Sequence, residues 1–130
     1  MKKIYLAIPY TGMQESSYRQ ANVASVAVLN EGYNVFSPIT HSHPLAQLEG
    51  LNVPHTWEYW SQIDYQFLDW ADEMWVVVPE EGMKTVLDST GVNAEIEYAV
   101  KQGMVIRAIT CEDNRIEDYV EEGMLEDASG

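Results

Sequence analysis

The chain has 130 residues, enough for one domain with a single core, and one cysteine, Cys111, so no intrachain disulfide can form. Its formal net charge of −14 argues against a nucleic-acid polymer as partner, because phosphate backbones require a basic surface, although a mononucleotide needs only a local anion site. No run approaches the ~20 apolar residues of a membrane span, no signal peptide is visible after Met1-Lys2-Lys3, and the cytoplasm is the simplest compartment.

Ile4 to Ile8 is a short apolar run closed by Pro9 and predicts a first strand. The loop Pro9 to Glu15 follows. Ser16 or Ser17 can cap a helix running to about Glu31, with Val23, Val26, Ala27 and Leu29 among its apolar positions and Gly32 as its stop. Tyr33 to Phe36 is a second strand. Ile39 to Pro54 reads as irregular and contains the run His41-Ser42-His43-Pro44; a loop of that length is usually functional or mobile. His41 and His43 have no Cys and no third ligand at metal spacing, which argues against a zinc site.

From about His55 to Ala71 the spacing is helical, with Trp57, Trp60, Leu68 and Ala71 in one stripe. Asp64 lies in the same stripe, four residues from Trp60 and four from Leu68. Met74 to Val78, closed by Pro79, predicts a fully buried strand. Glu80 to Asp88 reads as a loop. Met104 to Ile109 is a fourth strand. The acidic remainder places Ile116, Tyr119, Val120 and Leu125 on one short helix, with a frayed end.

Between the last two strands lies Ser89-Thr90-Gly91-Val92-Asn93-Ala94-Glu95-Ile96-Glu97-Tyr98-Ala99. Ser89 or Thr90 can cap a helix, Gly91 lets the backbone turn tightly, and Gly103 stops it. Val92, Ile96, Ala99 and Val100 form its apolar face. Glu95 falls inside that face, whereas Glu97 can pair with Lys101. A carboxylate there is costly unless something requires it, and the helix start would help to keep it ionised. An ionised carboxylate in a partly dry site is what glycosyl transfer needs of a nucleophile. The spacing fits equally a half-buried glutamate satisfied by a hydrogen bond.

Alternating strands and helices predict an α/β fold: one domain, a three-layer sandwich around a mostly parallel sheet, flavodoxin- or Rossmann-like. Ligands of such sheets bind outside the carboxyl ends of the strands. Here those ends are Pro9-Tyr10-Thr11, Ser37 to His43, Pro79 onward and Thr110. The free N–H groups of the helix after Ser89 offer an anion site on the same rim.

The segment Ser89-Thr90-Gly91-Val92-Asn93-Ala94-Glu95 resembles the catalytic motif of the nucleoside 2-deoxyribosyltransferase superfamily, in particular its 2'-deoxynucleoside 5'-monophosphate N-glycosidase branch. That motif has Ser or Asp, then Gly two residues on, then a nucleophilic Glu four after the Gly. Asp64-x-x-x-Leu68-x-x-x-Asp72-x-x-Trp75-Val76-Val77 is similar to its helix-to-strand segment, Ile4-Tyr5-Leu6-Ala7 to its first strand and Arg19-x-Ala21 to its first helix. The likeness spans roughly residues 3–109. A nearer likeness is to phage and bacterial members with a His-Ser-His-Pro loop.

The resemblance implies one deoxyribosyltransferase-like domain over residues 1–130, with the acidic segment 111–130 peripheral. Glu95 would attack C1' of the deoxyribose, Asp64 would protonate or position the leaving base, and Tyr5 would orient Glu95. Ser89, where nucleoside-specific members tend to have Asp, would bind a 5'-phosphate. Gly91, Pro9, Tyr10, Thr11 and Arg19 are further candidates around the substrate, and His41 and His43, whose role the resemblance does not supply, would either contact the base or phosphate or merely rim the loop. The first loop departs from the family's Gly-Ser-rich form, so Thr11, Arg19 or Lys84 would take its place. The expected activity is hydrolysis or transfer of the N-glycosidic bond of a deoxynucleoside monophosphate, with no metal and no cofactor, in a homo-oligomer (a dimer or larger). The alternatives are a transferase acting on free nucleosides and a nucleotide sensor without catalysis.

Overall fold

Five strands form one sheet in the order β2-β1-β3-β4-β5, with β1 at Lys3–Ala7, β2 at Asn34–Phe36, β3 at Glu73–Val78, β4 at Val105–Thr110 and β5 at Ile116–Asp118. The structure, a computed structural model, describes residues 1–111 and 113–119. The first four strands are parallel and β5 is antiparallel to β4. Tyr5 stands beside Met74, and Val76 beside Ala108.

Strand periodicity divides the core between the two faces of the sheet. Ile4, Leu6, Trp75 and Val77 point to the side covered by α1 (Gln14–Asn30), where Ala21, Ala24 and Val28 meet them. Tyr5, Ala7, Met74 and Val76 point to the other side, against α3 (Trp57–Trp70), α4 (Met83–Asp88) and α5 (Thr90–Lys101). The result is the expected three-layer α/β sandwich, doubly wound and mostly parallel. The chain leaves β1 toward β2 on one side and enters β3 on the other, so the switch point lies at the carboxyl ends of β1 and β3.

Several expectations change. Residues 38–46 form a helix, α2 (Pro38–Ala46), rather than irregular chain. Ser37 caps it, accepting the Thr40 N–H at 3.2 Å, and Pro38 occupies the first turn, where no N–H partner is needed. Pro44 sits in its last turn, so prolines stand at both ends of a short helix. Part of the segment from Glu80 to Asp88 is also helical, as α4, entered through Gly82 at φ 103°.

On α1 the buried stripe is Ser17, Gln20, Ala21, Ala24 and Val28. Val23, Val26 and Leu29 are about half exposed. Small residues let the helix approach the sheet closely, and Gln20 Oε1 accepts the Glu80 N–H at 2.8 Å. Neither Ser16 nor Ser17 caps this helix; Met13 precedes it without a side-chain cap. Ile116 to Asp118 is a strand rather than part of a helix: Asn114, at φ 52°, turns the chain, and Ile116 pairs with Ile109. Val120, Leu125 and the expected frayed end lie outside the described residues.

Candidate functional site

A cavity of about 740 Å³ opens at the carboxyl ends of β1 and β3. Its walls come from the chain after β1 (Ile8 to Thr11), from α2 (Ile39, Ser42, His43), from the start of α3 (Trp57, Trp60, Asp64), and from Thr85 to Glu95 across α4 and α5. That volume suits a small organic ligand.

Beneath it, the buried Tyr5 hydroxyl donates to the Glu95 carboxyl. Alternation along β1 sends Ile4 and Leu6 to the α1 side and leaves Tyr5 facing α5. Burial, followed by the charge of Glu95, holds the Tyr5 phenol well above its usual range, so it remains a donor. Glu95 occupies the second turn of α5, between the buried Val92 and Ile96. Burial, then the nearby Asp64, pushes its carboxyl up to about 8, while the Tyr5 hydrogen bond acts in the opposite direction. The expectation that the helix start keeps Glu95 ionised is therefore corrected. The helix field decays within one turn, and desolvation outweighs it.

Asp64 lies on the same apolar stripe of α3 as Leu68, but the stripe changes role along its length. Leu68 is fully buried and Ala71 packs on the core, whereas Trp57, Trp60 and Asp64 face the cavity. Burial pushes the Asp64 carboxyl up to about 7. Burial thus favours the protonated form of both carboxyls, and the charge of Asp64 adds to the effect at Glu95.

Ser89 caps α5, accepting the Val92 N–H at 3.2 Å, and its own hydroxyl hydrogen stays available. Gly91 is inside the helix and not at a tight turn; positive φ belongs to other glycines. Its bare Cα faces Trp57 instead, and a Cβ there would stand 3.4 Å from the indole nitrogen.

Of the other expected site residues, Pro9, Tyr10, Thr11 and His43 line the cavity. Arg19 does not: it pairs with Glu80 at 3.1 Å on the surface. His41 packs its ring on Phe36 and also lies outside the lining. Lys84 pairs with Asp88 at 2.6 Å. Among the described residues, the cavity wall contains no lysine or arginine, and no three His, Cys, Asp or Glu side chains are arranged to hold a metal ion. No helix among them is long and apolar enough to cross a membrane. Sequence reasoning missed His55, Trp60, Thr85 and Asp88 as cavity residues. The only signal was that each lies next to a segment entering or leaving the carboxyl rim.

The fold defines a doubly wound α/β protein with a cavity at its topological switch point. The chain belongs to the family described as a domain of unknown function, DUF1937, whose sequence profile matches residues 2–110. No curated protein matches it. Among solved structures it is similar to a 2-deoxyribosyltransferase from the psychrotolerant bacterium Bacillus psychrosaccharolyticus, with a TM-score of 0.62 and 20% identity over 95% of this chain and 80% of that one. It is also similar to a conserved protein from Enterococcus faecalis V583, with a TM-score of 0.62 and 15% identity over 84% of this chain and 63% of that one. At such identities the likeness shows the fold.

Proposed function

We propose that the protein breaks the N-glycosidic bond of a 2'-deoxynucleoside and passes the deoxyribosyl group through Glu95 to water or to a second base. The observation that carries this reading is the Tyr5–Glu95 hydrogen bond beneath a cavity that Asp64 also faces. The fold shared with a 2-deoxyribosyltransferase supports it.

A Glu95 oxygen attacks C1' as the C1'–N bond breaks. The base leaves with the bonding electrons and takes a proton from Asp64. Burial favours a proton on either carboxyl. Positive charge developing at the sugar draws Glu95 to its ionised form and leaves the proton with Asp64. Tyr5 holds the attacking carboxylate in place. Water then attacks C1', Asp64 takes its proton, and Glu95 is released; an incoming base nitrogen in place of water gives transfer. The aromatic rings of Trp57 and Trp60 offer the base a stacking wall.

The 5'-group divides two substrates. Ser89, with the first N–H groups of α5, supports a 5'-monophosphate. A specific observation favours the free nucleoside: among the described residues the cavity wall has no lysine or arginine to meet a phosphate. We place the free deoxynucleoside first on that ground. We also propose a homo-oligomer, as in the family that the sequence resembles.

Base release from a panel of deoxynucleosides, ribonucleosides and their 5'-monophosphates, with and without an acceptor base, tests the reading, with Glu95→Ala as control. Release from deoxynucleosides that is lost in Glu95→Ala supports it. Release from monophosphates alone moves the substrate to the phosphorylated form. Binding without release from any of them overturns the catalytic reading and leaves a nucleotide or nucleoside sensor.

A further inference from the structure

His43 is only 4% exposed and is the one fully enclosed polar side chain among the described residues of the cavity wall. Its ring stacks on Tyr18, with centroids 4.6 Å apart, and meets Tyr10 edge-on. Nδ1 lies 2.6 Å from the Tyr10 hydroxyl. Nε2 lies 3.2 Å from Glu15 Oε1 and 3.3 Å from Gln47 Nε2.

The Glu15 contact sets the direction of these hydrogen bonds. An ionised carboxylate can only accept, so Nε2 carries a hydrogen and donates it to Glu15. Gln47 Nε2 is itself a donor and cannot bond a protonated Nε2, so with Glu15 engaged the amide turns over and presents its oxygen to the same hydrogen. In the neutral imidazole Nδ1 is then a bare lone pair, and Tyr10 must donate to it. With its only hydrogen engaged, the Tyr10 oxygen offers the cavity lone pairs alone.

We propose that His43, oriented by Glu15, makes Tyr10 an obligate hydrogen-bond acceptor in the cavity wall, which selects ligands presenting an N–H or O–H group there. The inference rests on the nucleoside reading of the cavity and narrows it. A nucleobase meets the requirement with an exocyclic amino group, as in adenine or cytosine; hypoxanthine and uracil put an oxo group at that same position, their ring N–H lying one position away. The sugar hydroxyls are further donors that a nucleoside carries. Tyr10 is the contact that discriminates; His43 and Glu15 are positioning residues. An oxo group would set lone pair against lone pair in a partly dry site and lose about 10- to 100-fold in affinity.

The test compares binding, followed by tryptophan fluorescence and calorimetry, of deoxyadenosine with deoxyinosine, of deoxycytidine with deoxyuridine, and of deoxyadenosine with its 2',3'-dideoxy analogue. Nitrogen NMR of the His43 ring reads the tautomer in the unaltered protein. The expected results are an Nε2–H ring, tighter binding of the amino member of each base pair by about 10-fold or more, and a ratio near one in Tyr10→Phe. Glu15→Ala is expected to populate the Nδ1–H form and to reduce the ratio several-fold. If Tyr10→Phe instead removes only the preference for the 3'-hydroxyl, the donor is the sugar and the acceptor assignment stands. An Nδ1–H ring in the unaltered protein, an oxo preference, or ratios unmoved by Tyr10→Phe overturns the proposal. Binding and tautomer need no turnover, so these results are separate from success or failure of the glycosidic reading.

Discussion

The Tyr5 phenol on β1 donates to the Glu95 carboxyl on α5, a polar contact within a largely apolar layer between sheet and helix. That contact lowers the proton affinity of Glu95, which burial raises. Tyr5→Phe removes it, so Glu95 needs a higher pH to ionise. The expected outcome is a 10- to 100-fold lower kcat with little change in KM and an activity profile displaced toward alkaline pH. A pH–rate series checks it; an undisplaced profile would separate Tyr5 from the ionisation of Glu95.

The raised carboxyls also make stability depend on pH. In the unfolded chain Asp64 and Glu95 release protons near their ordinary values of 3.8 and 4.5, and in the native protein near about 7 and about 8. Between those limits the native state binds more protons. Stability from this pair is therefore full below about pH 4 and falls as the pH rises toward about 8. Glu95→Gln, which still accepts from Tyr5, is expected to flatten the slope and to be more stable than the unaltered protein at pH 8. Denaturant midpoints across pH measure this, and equal slopes in the two proteins would refute it.

Asp64 is proposed as the proton donor to the leaving base. Asp64→Asn should slow release of natural bases by about 10²- to 10⁴-fold. A deoxyriboside whose leaving group departs as a stable anion should lose far less. Equal losses on both substrates would assign Asp64 to binding and not to proton transfer.

Ser89 and Gly91 separate helix stability from ligand contact. Ser89→Ala removes the cap on α5 and should cost about 1 kcal/mol in thermal or chemical unfolding. Gly91→Ala should instead stabilise, by up to about 1 kcal/mol, since its backbone is helical and the new methyl only touches Trp57. Gly91→Leu should displace Trp57 and raise KM while the fold persists. An unchanged KM in Gly91→Leu would show that Trp57 is not a ligand contact.

The sequence by itself determined the alternation of strands and helices, the parallel sheet and the rim on which a ligand would sit. Apolar runs such as Met74 to Val78 can form only buried strands, and one apolar face per helix dictates the layers. It also marked Asp64 and Glu95, because a carboxyl on an apolar stripe conflicts with local spacing, and such a conflict can be read without coordinates. The tertiary structure decided the remainder. Helical spacing does not say where a stripe passes from core to cavity, as it does between Leu68 and Asp64 on α3. Nor does it say which of two apolar faces on α1 packs; small residues gained the sheet and left Val23, Val26 and Leu29 half exposed. The contacts Tyr5–Glu95 and Tyr10–His43 join residues 90 and 33 positions apart. They exist because β1 runs between the two helical layers and sends Tyr5 toward one of them, while the chain leaving it reaches α2. Proton affinities followed from the same packing, since burial overrides the helix field that the sequence alone suggested for Glu95.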